Sequence, residues 1–417
     1  MKVSIVIPTY NKCDELLKPL CESIIKYTEL NDIEIIIVAN GCTDNTEEYV
    51  KSLGPPFKII VHPDALGYTK STNIGILASS GEFILLLNND CIILPQQKNW
   101  WIDCLIQPFE NDKKVGITGP LKSFCGHAKR EFMVFFCVMI KQNLFNQFGL
   151  LDITFSPGGA EDTDFSIKVQ NGGYKILQVP GDELKLSGGL MVGCFPIYHA
   201  GEKTVGELSN WQDIFSRNSH YLAKKYDPNY RYELTNGFER AVFLNNDEVS
   251  GLELTRYKWA RENIIGNSML EIGSTSGYGS QFFPAMEYTG VDYEKKISDV
   301  SRWEFGDKNH TFVHADINSF DLQQYDNIVA FEVIEHLDNG LELVEKLKKH
   351  CKNLLITVPY KEPQGFWGHH HKLFGIDESG FKDFNIKYID ANGDILDQPN
   401  PHTFNLMLMR YQNHITR

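Results

Sequence analysis

The chain has 417 residues, 42% of them hydrophobic and 23% charged, a globular composition spread over too long a chain for one hydrophobic core. A formal net charge of −14 and a pI near 5.4 argue against non-specific binding to nucleic acid or anionic lipid. Nine cysteines with no CxxC pair and no His-Cys cluster fit a reduced compartment, so a cytoplasmic location is expected.

The first residues already read as a strand, so no signal peptide is expected. Lys2 to Ile7 (KVSIVI) forms that strand, and Pro8-Thr9-Tyr10-Asn11 closes it. A helical stretch follows with Leu16, Leu17, Leu20, Ile24 and Ile25 on one face. Ile33 to Val38 is a second strand, running into Ala39-Asn40-Gly41-Cys42-Thr43-Asp44 and a helix from near Asn45. Lys58 to Val61 is a third strand, Gly67 to Ala78 carries a helix, and Phe83 to Leu87 is a fourth strand. Strand, turn and helix alternate, which predicts a parallel sheet with crossover helices.

The fourth strand is wholly apolar and ends abruptly in Asn88-Asn89-Asp90. It delivers a carboxylate to the carboxyl edge of a sheet, where open α/β sheets bind ligands. An Asp there can hold a divalent cation that neutralises a pyrophosphate; an ordinary polar turn is the bland alternative. Phe132 to Ile140 is the longest apolar run and about half a membrane span, so no spanning helix is expected and any membrane association is peripheral. Glu161-Asp162-Thr163-Asp164 follows Phe155-Ser156-Pro157-Gly158-Gly159. Such acids suit both a helix N-terminus and a general base. After Pro196-Ile197-Tyr198-His199-Ala200-Gly201, an amphipathic helix from Trp211 to Tyr226 ends the first domain.

SIVIPTYN, IIVANGCTDNT, GYTKSTNIGILASSGEFILLLNND and GGAEDTDFSIKVQNGGYKI stand in this order over roughly the first 230 residues. Together they resemble a family 2 glycosyltransferase of the GT-A fold. The resemblance implies an inverting transferase that takes a nucleotide-sugar donor. Pro8, Thr9 and Tyr10 would line the base pocket, Asn40 and Asp44 would hold the nucleotide, and Lys70 and Asn73 would lie toward the phosphates. Many members carry Asp at the position of Ala39 and Arg at that of Thr72, which leaves the base open and makes Lys70 the candidate phosphate partner. Asn88-Asn89-Asp90 replaces Asp-x-Asp, with Asp90 as cation ligand and the two Asn orienting the donor. The variant is similar to a rhamnosyltransferase-type branch, hence a dTDP- or UDP-sugar. Asp162, after Glu161, takes the catalytic base position, and His199 would return to a Mn²⁺ or Mg²⁺ ion beside Asp90. Asp164 is expected to be structural, and Arg217, Asn218 and His220 either reach the acceptor or phosphate or cover the fold.

Residues 1–230 thus form the first domain, polar residues 231–249 a linker, and residues 250–417 a second α/β domain. There Met269 to Ile272 is a strand followed by Gly273-Ser274-Thr275-Ser276-Gly277-Tyr278-Gly279-Ser280. Further strands end at Asp292, at Asp316-Ile317, at Glu332-Val333-Ile334-Glu335-His336-Leu337 and at Pro359. An acidic residue about 20 positions after a Gly-rich strand-to-helix turn is the arrangement that grips a ribose. These features resemble a class I S-adenosylmethionine-dependent methyltransferase with a Rossmann-like fold. By resemblance Glu271, Gly273 and Gly277 form the cofactor loop, Asp292 binds the ribose, Asp316 and Ile317 face the adenine, and Glu332 flanks the methionine end. Ile386 to Ile389 and Phe404 to Met409 fit the closing antiparallel hairpin.

Thr275 stands where that family usually has Gly, and a β-branched residue there narrows the site or reshapes the loop. His369-His370-His371 point in divergent directions and seldom converge on one ion, so His336 or His371 is instead the candidate base for a sugar hydroxyl. The leading expectation is a bifunctional enzyme of polysaccharide biosynthesis. One domain transfers a sugar to a glycan or lipid-linked saccharide, and the other O-methylates a glycan hydroxyl. In a second reading the C-terminal domain is a non-catalytic scaffold, and in a third the N-terminal domain is a nucleotide-sugar-binding regulator.

Overall fold

A computed structural model describes residues 2–179, 190–191, 195–201, 209–230, 234, 242–245, 248–249, 251–366 and 370–413. The chain divides into two compact units, Met1–Tyr230 and Arg231–Arg417. Each is described by itself.

In the first unit β1 (Val3–Thr9), β2 (Ile33–Asn40), β3 (Phe57–His62) and β4 (Phe83–Leu87) alternate with α1 (Lys18–Tyr27), α2 (Thr46–Leu53) and α3 (Tyr68–Ala78). A short β5 (Cys91–Ile93) and α4 (Trp100–Asn111) lead to β6 (Val115–Gly119). The chain then folds back through β7 (Lys122–Cys125) and β8 (Arg130–Met133) into β9 (Cys137–Lys141), α5 (Gln142–Phe148), α6 (Glu161–Asn171) and β10 (Lys175–Gln178). Last come β11 (Leu190–Met191), β12 (Ile197–His199) and α7 (Trp211–Tyr226).

The main sheet has seven strands in the order β10-β6-β9-β4-β1-β2-β3. It is mixed, not the parallel sheet expected: β9 runs antiparallel to both β4 and β6. The cause is the β7–β8 hairpin, which reverses the chain before the apolar run from Phe132 to Ile140 enters the sheet. β1 and β4 are buried on both faces, and their alternating side chains feed two cores. Ile5, Ile7, Leu85 and Leu87 pack with Leu20, Ile24, Trp101 and Leu105 on one side. Val6, Ile84 and Leu86 pack with Ile76, Val138, Phe165 and Val169 on the other.

The second unit holds α8 (Gly251–Asn263), β13 (Ser268–Ile272), β14 (Glu287–Asp292), α9 (Lys295–Phe305) and β15 (His310–His314). It continues through β16 (Tyr325–Phe331), α10 (Gly340–Lys348), β17 (Cys351–Pro359), β18 (Asn385–Asp390), β19 (Ile395–Leu396) and β20 (Asn405–Gln412). The sheet order is β15-β14-β13-β16-β17-β20-β18-β19. The first five strands are parallel, and β20 is antiparallel between β17 and β18. Much of the expected linker lies outside the described residues, but Val249 is buried and Phe243 half-buried in this unit's core, against Tyr257 and Tyr278. No described helix is long and apolar enough to cross a membrane.

Candidate active sites

In the first unit the parallel register brings the ends of β1, β2 and β4 to one edge. Asn89 Nδ2 donates to Thr9 Oγ1 at 2.9 Å, fastening the β4 turn to β1. His199 arrives from 111 residues beyond Asn88 because β12 pairs antiparallel with β5, setting His199 opposite Cys91. Its Nε2 lies 3.1 Å from Asp90 Oδ1 and 3.4 Å from Asn88 Nδ2, and its ring stacks on Phe136 at 4.5 Å and 5°. Asp90 and His199 are both 7% exposed.

Among the described residues, Asp90 Oδ1, Asn88 Oδ1 and His199 Nδ1 are buried without a hydrogen-bond partner. The Asp90 oxygen faces the His199 ring, and a buried carboxylate plus imidazole beside an unbonded amide oxygen fits Mn²⁺ or Mg²⁺. Cys91 lies in the same cluster, but burial raises its thiol pKa well above the usual value, so it stays a neutral thiol and a poor ligand for a hard cation.

The acidic pair opens α6 after a loop in which Gly159 and Ala160 take φ of 96° and 82°. Gly67, at φ 80°, meets this loop so closely that a Cβ there would fall 2.4 Å from Pro157. Glu161 is buried; Asp162 is half-buried, and its Oδ1 accepts from Thr163 N at 2.6 Å and Thr163 Oγ1 at 3.1 Å. Burial raises both carboxyl pKa values, and for Glu161 the charge of Asp162 adds to the rise. Asp164 is fully buried, accepts from Tyr226 OH at 2.7 Å and pairs with Lys225 and Lys168 at 2.6 and 2.7 Å, joining α6 to α7.

Several expected ligands of the donor also hold the protein's own backbone. Asn40 Oδ1 accepts from Leu66 N. Asp44 accepts from Thr46 N and Oγ1 at the start of α2 and from Cys13 N at 2.9 Å. Asn73 holds the backbone of Leu151 through both ends of its amide, at 2.8 and 3.0 Å. Short polar side chains satisfy nearby backbone groups, and these three therefore fasten turns and helices. Pro8 is buried within β1, whereas Tyr10, at 40% exposure, follows its end, and Lys70 on α3 is exposed. Asn218 Nδ2 donates to Phe155, Gly158 and Gly159 carbonyls at 2.8 to 2.9 Å, and Arg217 donates to that of Ser156, so both clamp the loop before Glu161. His220 faces Tyr230 OH at 3.0 Å.

In the second unit a cavity of about 1040 Å³ opens at the carboxyl edge, lined by Gly273, Thr275, Asp292, Asp316, Ile317, Glu332, His336 and His371 among others. Thr275 does not close it. The residue takes the left-handed φ of 47°, its N–H donating to Asp292 Oδ2 at 3.1 Å and its carbonyl accepting from Ser301 Oγ at 2.7 Å. Glu271 lies behind the wall: the buried hydroxyls of Tyr257 and Tyr288 both donate to it, and burial raises its carboxyl to about 7. Gly277 packs under Phe312 and Ser301. Glu271 and Gly277 thus shape the loop from beneath, Glu271 through the strand's alternation, which turns its side chain to the sheet face of Tyr257 and Tyr288.

Two residues of this cavity, and one behind it, went unmarked in the sequence. Arg256, on α8, is 9% exposed and lies over the rings of Phe331 and Tyr257 at 5.7 and 6.0 Å. Glu335 is fully buried, with neither carboxylate oxygen hydrogen-bonded among the described residues. Glu362 holds His371 Nδ1 at 2.6 Å. Glu335 was visible within FEVIEHL, whereas nothing in the helical pattern of α8 singles out Arg256. Of the His run, His369 lies outside the described residues.

Residues 4–148 match the family model described as Glycosyl transferase family 2, and residues 270–353 match a model described as Methyltransferase domain. The glycosyltransferase AglE of Haloferax volcanii is 28% identical over 92 residues, covering 21% of this chain and 30% of that protein. An uncharacterized glycosyltransferase of a Nostoc species is 29% identical over 132 residues, covering 31% of this chain and 39% of that protein. The chain thus spans well under half the length of these curated relatives. Among solved structures, the mannosyltransferase PcManGT of Pyrobaculum calidifontis, in complex with GDP-Man and Mn²⁺, superposes with a TM-score of 0.42 at 16% identity, covering 54% of this chain and 64% of that one. The N-terminal domain of EvdMO1 with SAH bound superposes with a TM-score of 0.30 at 12% identity, covering 38% of this chain and 80% of that one. The chain joins a family 2 glycosyl transferase domain to a methyltransferase domain.

Proposed function

We propose that the first unit transfers a sugar from a dTDP- or UDP-sugar, with inversion, to a glycan or lipid-linked saccharide, and that the second O-methylates a hydroxyl of such a glycan. Both reactions would run in the cytoplasm, with the acceptor reached there or at the inner face of a membrane. The approach of Asp90 to His199, two buried groups 3.1 Å apart with orphaned donor atoms around them, is the observation that carries the reading of the first unit. Mn²⁺ or Mg²⁺ held by this pair would neutralise the leaving diphosphate. Asn88 and Asn89 orient the donor, Tyr10 offers a ring to the base, and Lys70 offers a charge to the phosphates. Asp162 takes the proton of the acceptor hydroxyl, and Glu161, with its carboxyl pushed up further, stays protonated beside it and spares the site a second negative charge.

In the second unit, the shared cavity wall of Asp292, Asp316 and Glu332 carries the reading. S-adenosylmethionine would supply the methyl group as a sulfonium. Asp292 binds the ribose hydroxyls, Asp316 and Ile317 border the adenine, and Arg256 meets the methionine carboxylate. With Thr275 accommodated and the cavity open, a non-catalytic scaffold is the weaker reading.

Asp162→Asn tests the base directly. The variant should lose sugar transfer by a factor of about 10²–10⁴ while its calorimetric affinity for the donor stays unchanged. The parent's kcat/KM should fall as pH drops through a value above the ordinary carboxylate range, because burial raises Asp162 and only the ionised form accepts a proton. A variant that keeps its rate would remove Asp162 from the reaction.

A further inference from the structure

The cavity of the second unit is lined by more carboxyl groups than a methyl donor's binding requires. Glu335 is fully buried and neither of its oxygens has a hydrogen-bond partner among the described residues. Glu332, three positions earlier, adds a buried Oε1 in the same condition. The buried Arg256 guanidinium acts on both, and with neither Glu335 oxygen hydrogen-bonded the carboxylate form is unfavourable unless a cation lies closer.

Two imidazoles complete the surroundings. One donor atom from each of Glu335, His336 and His371 lies within 4.8 Å of the other two. Both rings are oriented from behind. His371 Nδ1 is 2.6 Å from the buried carboxylate of Glu362, and His336 Nδ1 is 3.2 Å from the carbonyl of His370. With Nδ1 as the donor in each case, the lone pair sits on Nε2. A carboxylate or carbonyl behind each imidazole is how metal-ligating histidines are held in one tautomer. The two rings stand nearly perpendicular, at 89° with centroids 4.6 Å apart, an edge-to-face contact compatible with both serving one ion. The histidines are not the adjacent ones of the His run. His336 comes from the turn after β16 and His371 from beyond Glu362, and Lys372 N and Leu373 N, donating to the Glu335 carbonyl at 2.7 and 3.0 Å, bring the two segments together.

We propose that Glu335, His336 and His371 form a divalent transition-metal site in the methyltransferase unit, with coordination positions open to the cavity for hydroxyl oxygens of the acceptor. Two imidazoles and one carboxylate leave room for such oxygens and for water. This replaces the expectation that His336 or His371 acts as a free base: as ligands they orient the acceptor through the ion. The binding of the ion stands on the three residues alone, whereas its role toward an acceptor hydroxyl rests on the methyl-transfer reading above.

The test is a Mn²⁺ titration of the full-length, metal-free chain, with bound equivalents counted from the loss of the free-ion EPR signal. Asp90→Asn serves as the background, removing the cation of the first unit from the count. In that background one equivalent should bind, and Glu335→Gln or His371→Ala should abolish it. Near-ultraviolet circular dichroism reports whether the variants remain folded. Glu335→Leu covers the case in which they do not. It removes the buried charge, so the melting temperature of the metal-free protein should rise and should cease to respond to Mn²⁺. An equivalent retained in folded His371→Ala and Glu335→Gln, or a Glu335→Leu melting temperature that still responds to Mn²⁺ in the Asp90→Asn background, would overturn the site. A failure of the reading of the first unit shows up separately, as equal counts in the parent and Asp90→Asn.

Discussion

At the scale of single residues, the informative positions are those where a side chain departs from its family's habit. Thr275 is the clearest case. Its identity alone suggested a narrowed loop, but the backbone takes φ 47° and the side chain is accommodated. A β-branched residue in the left-handed region costs roughly 1–2 kcal/mol, here offset by hydrogen bonds from the loop to Asp292 and Ser301. Thr275→Gly should therefore stabilise the second unit by up to about 1 kcal/mol, after the greater freedom of unfolded Gly is subtracted. Urea unfolding checks this, and a loss of stability would show that the Thr side chain contributes contacts outweighing the strain. Asn40, Asp44 and Asn73 show the reverse: their types and positions were legible, their partners were not. A short amide or carboxylate reads the same in a sequence whether it meets a ligand or the next backbone N–H.

At the scale of elements, the first four strands, the helices between them, α7 and the strands of the second unit followed from apolar runs and turn residues, whereas β6 to β10 and the direction of β9 did not. An apolar run carries no sign of parallel or antiparallel pairing. That was decided by the β7–β8 hairpin, whose strands are short and largely exposed. The same limit applies to the meeting of Asp90 with His199, which depends on the β5–β12 register. Only the family resemblance pointed to that pairing. Helix α7 has a similar hidden role, since Asn218 holds three carbonyls of the loop that delivers Glu161 and Asp162. Asn218→Ala leaves those carbonyls without their donor and should cost about 2–3 kcal/mol. Sugar transfer should fall with it, mainly in kcat, since the loop positions the base. Unchanged stability and rate would mean that α7 only covers the fold.

At the scale of the whole molecule, each unit has its own cores: one pair of clusters lies on the two faces of the first sheet, another on the two faces of the second. Composition and length already implied more than one core, and the second strand–turn–helix series marked where the second begins. The functional division follows the same line, with the Asp90–His199 and Glu161–Asp162 groups in one unit and the cavity with Asp292 and Asp316 in the other. A ligand that binds only the folded form of its unit raises that unit's stability by mass action.

Scanning calorimetry of the full-length chain at fixed Mn²⁺ therefore tests the central claim most directly. Two transitions are expected: S-adenosylhomocysteine should raise one and leave the other in place, and UDP or dTDP should do the converse. A chain in which neither transition responds to S-adenosylhomocysteine, or in which neither nucleotide moves the other, would contradict the assignment of two ligand-binding transferase sites.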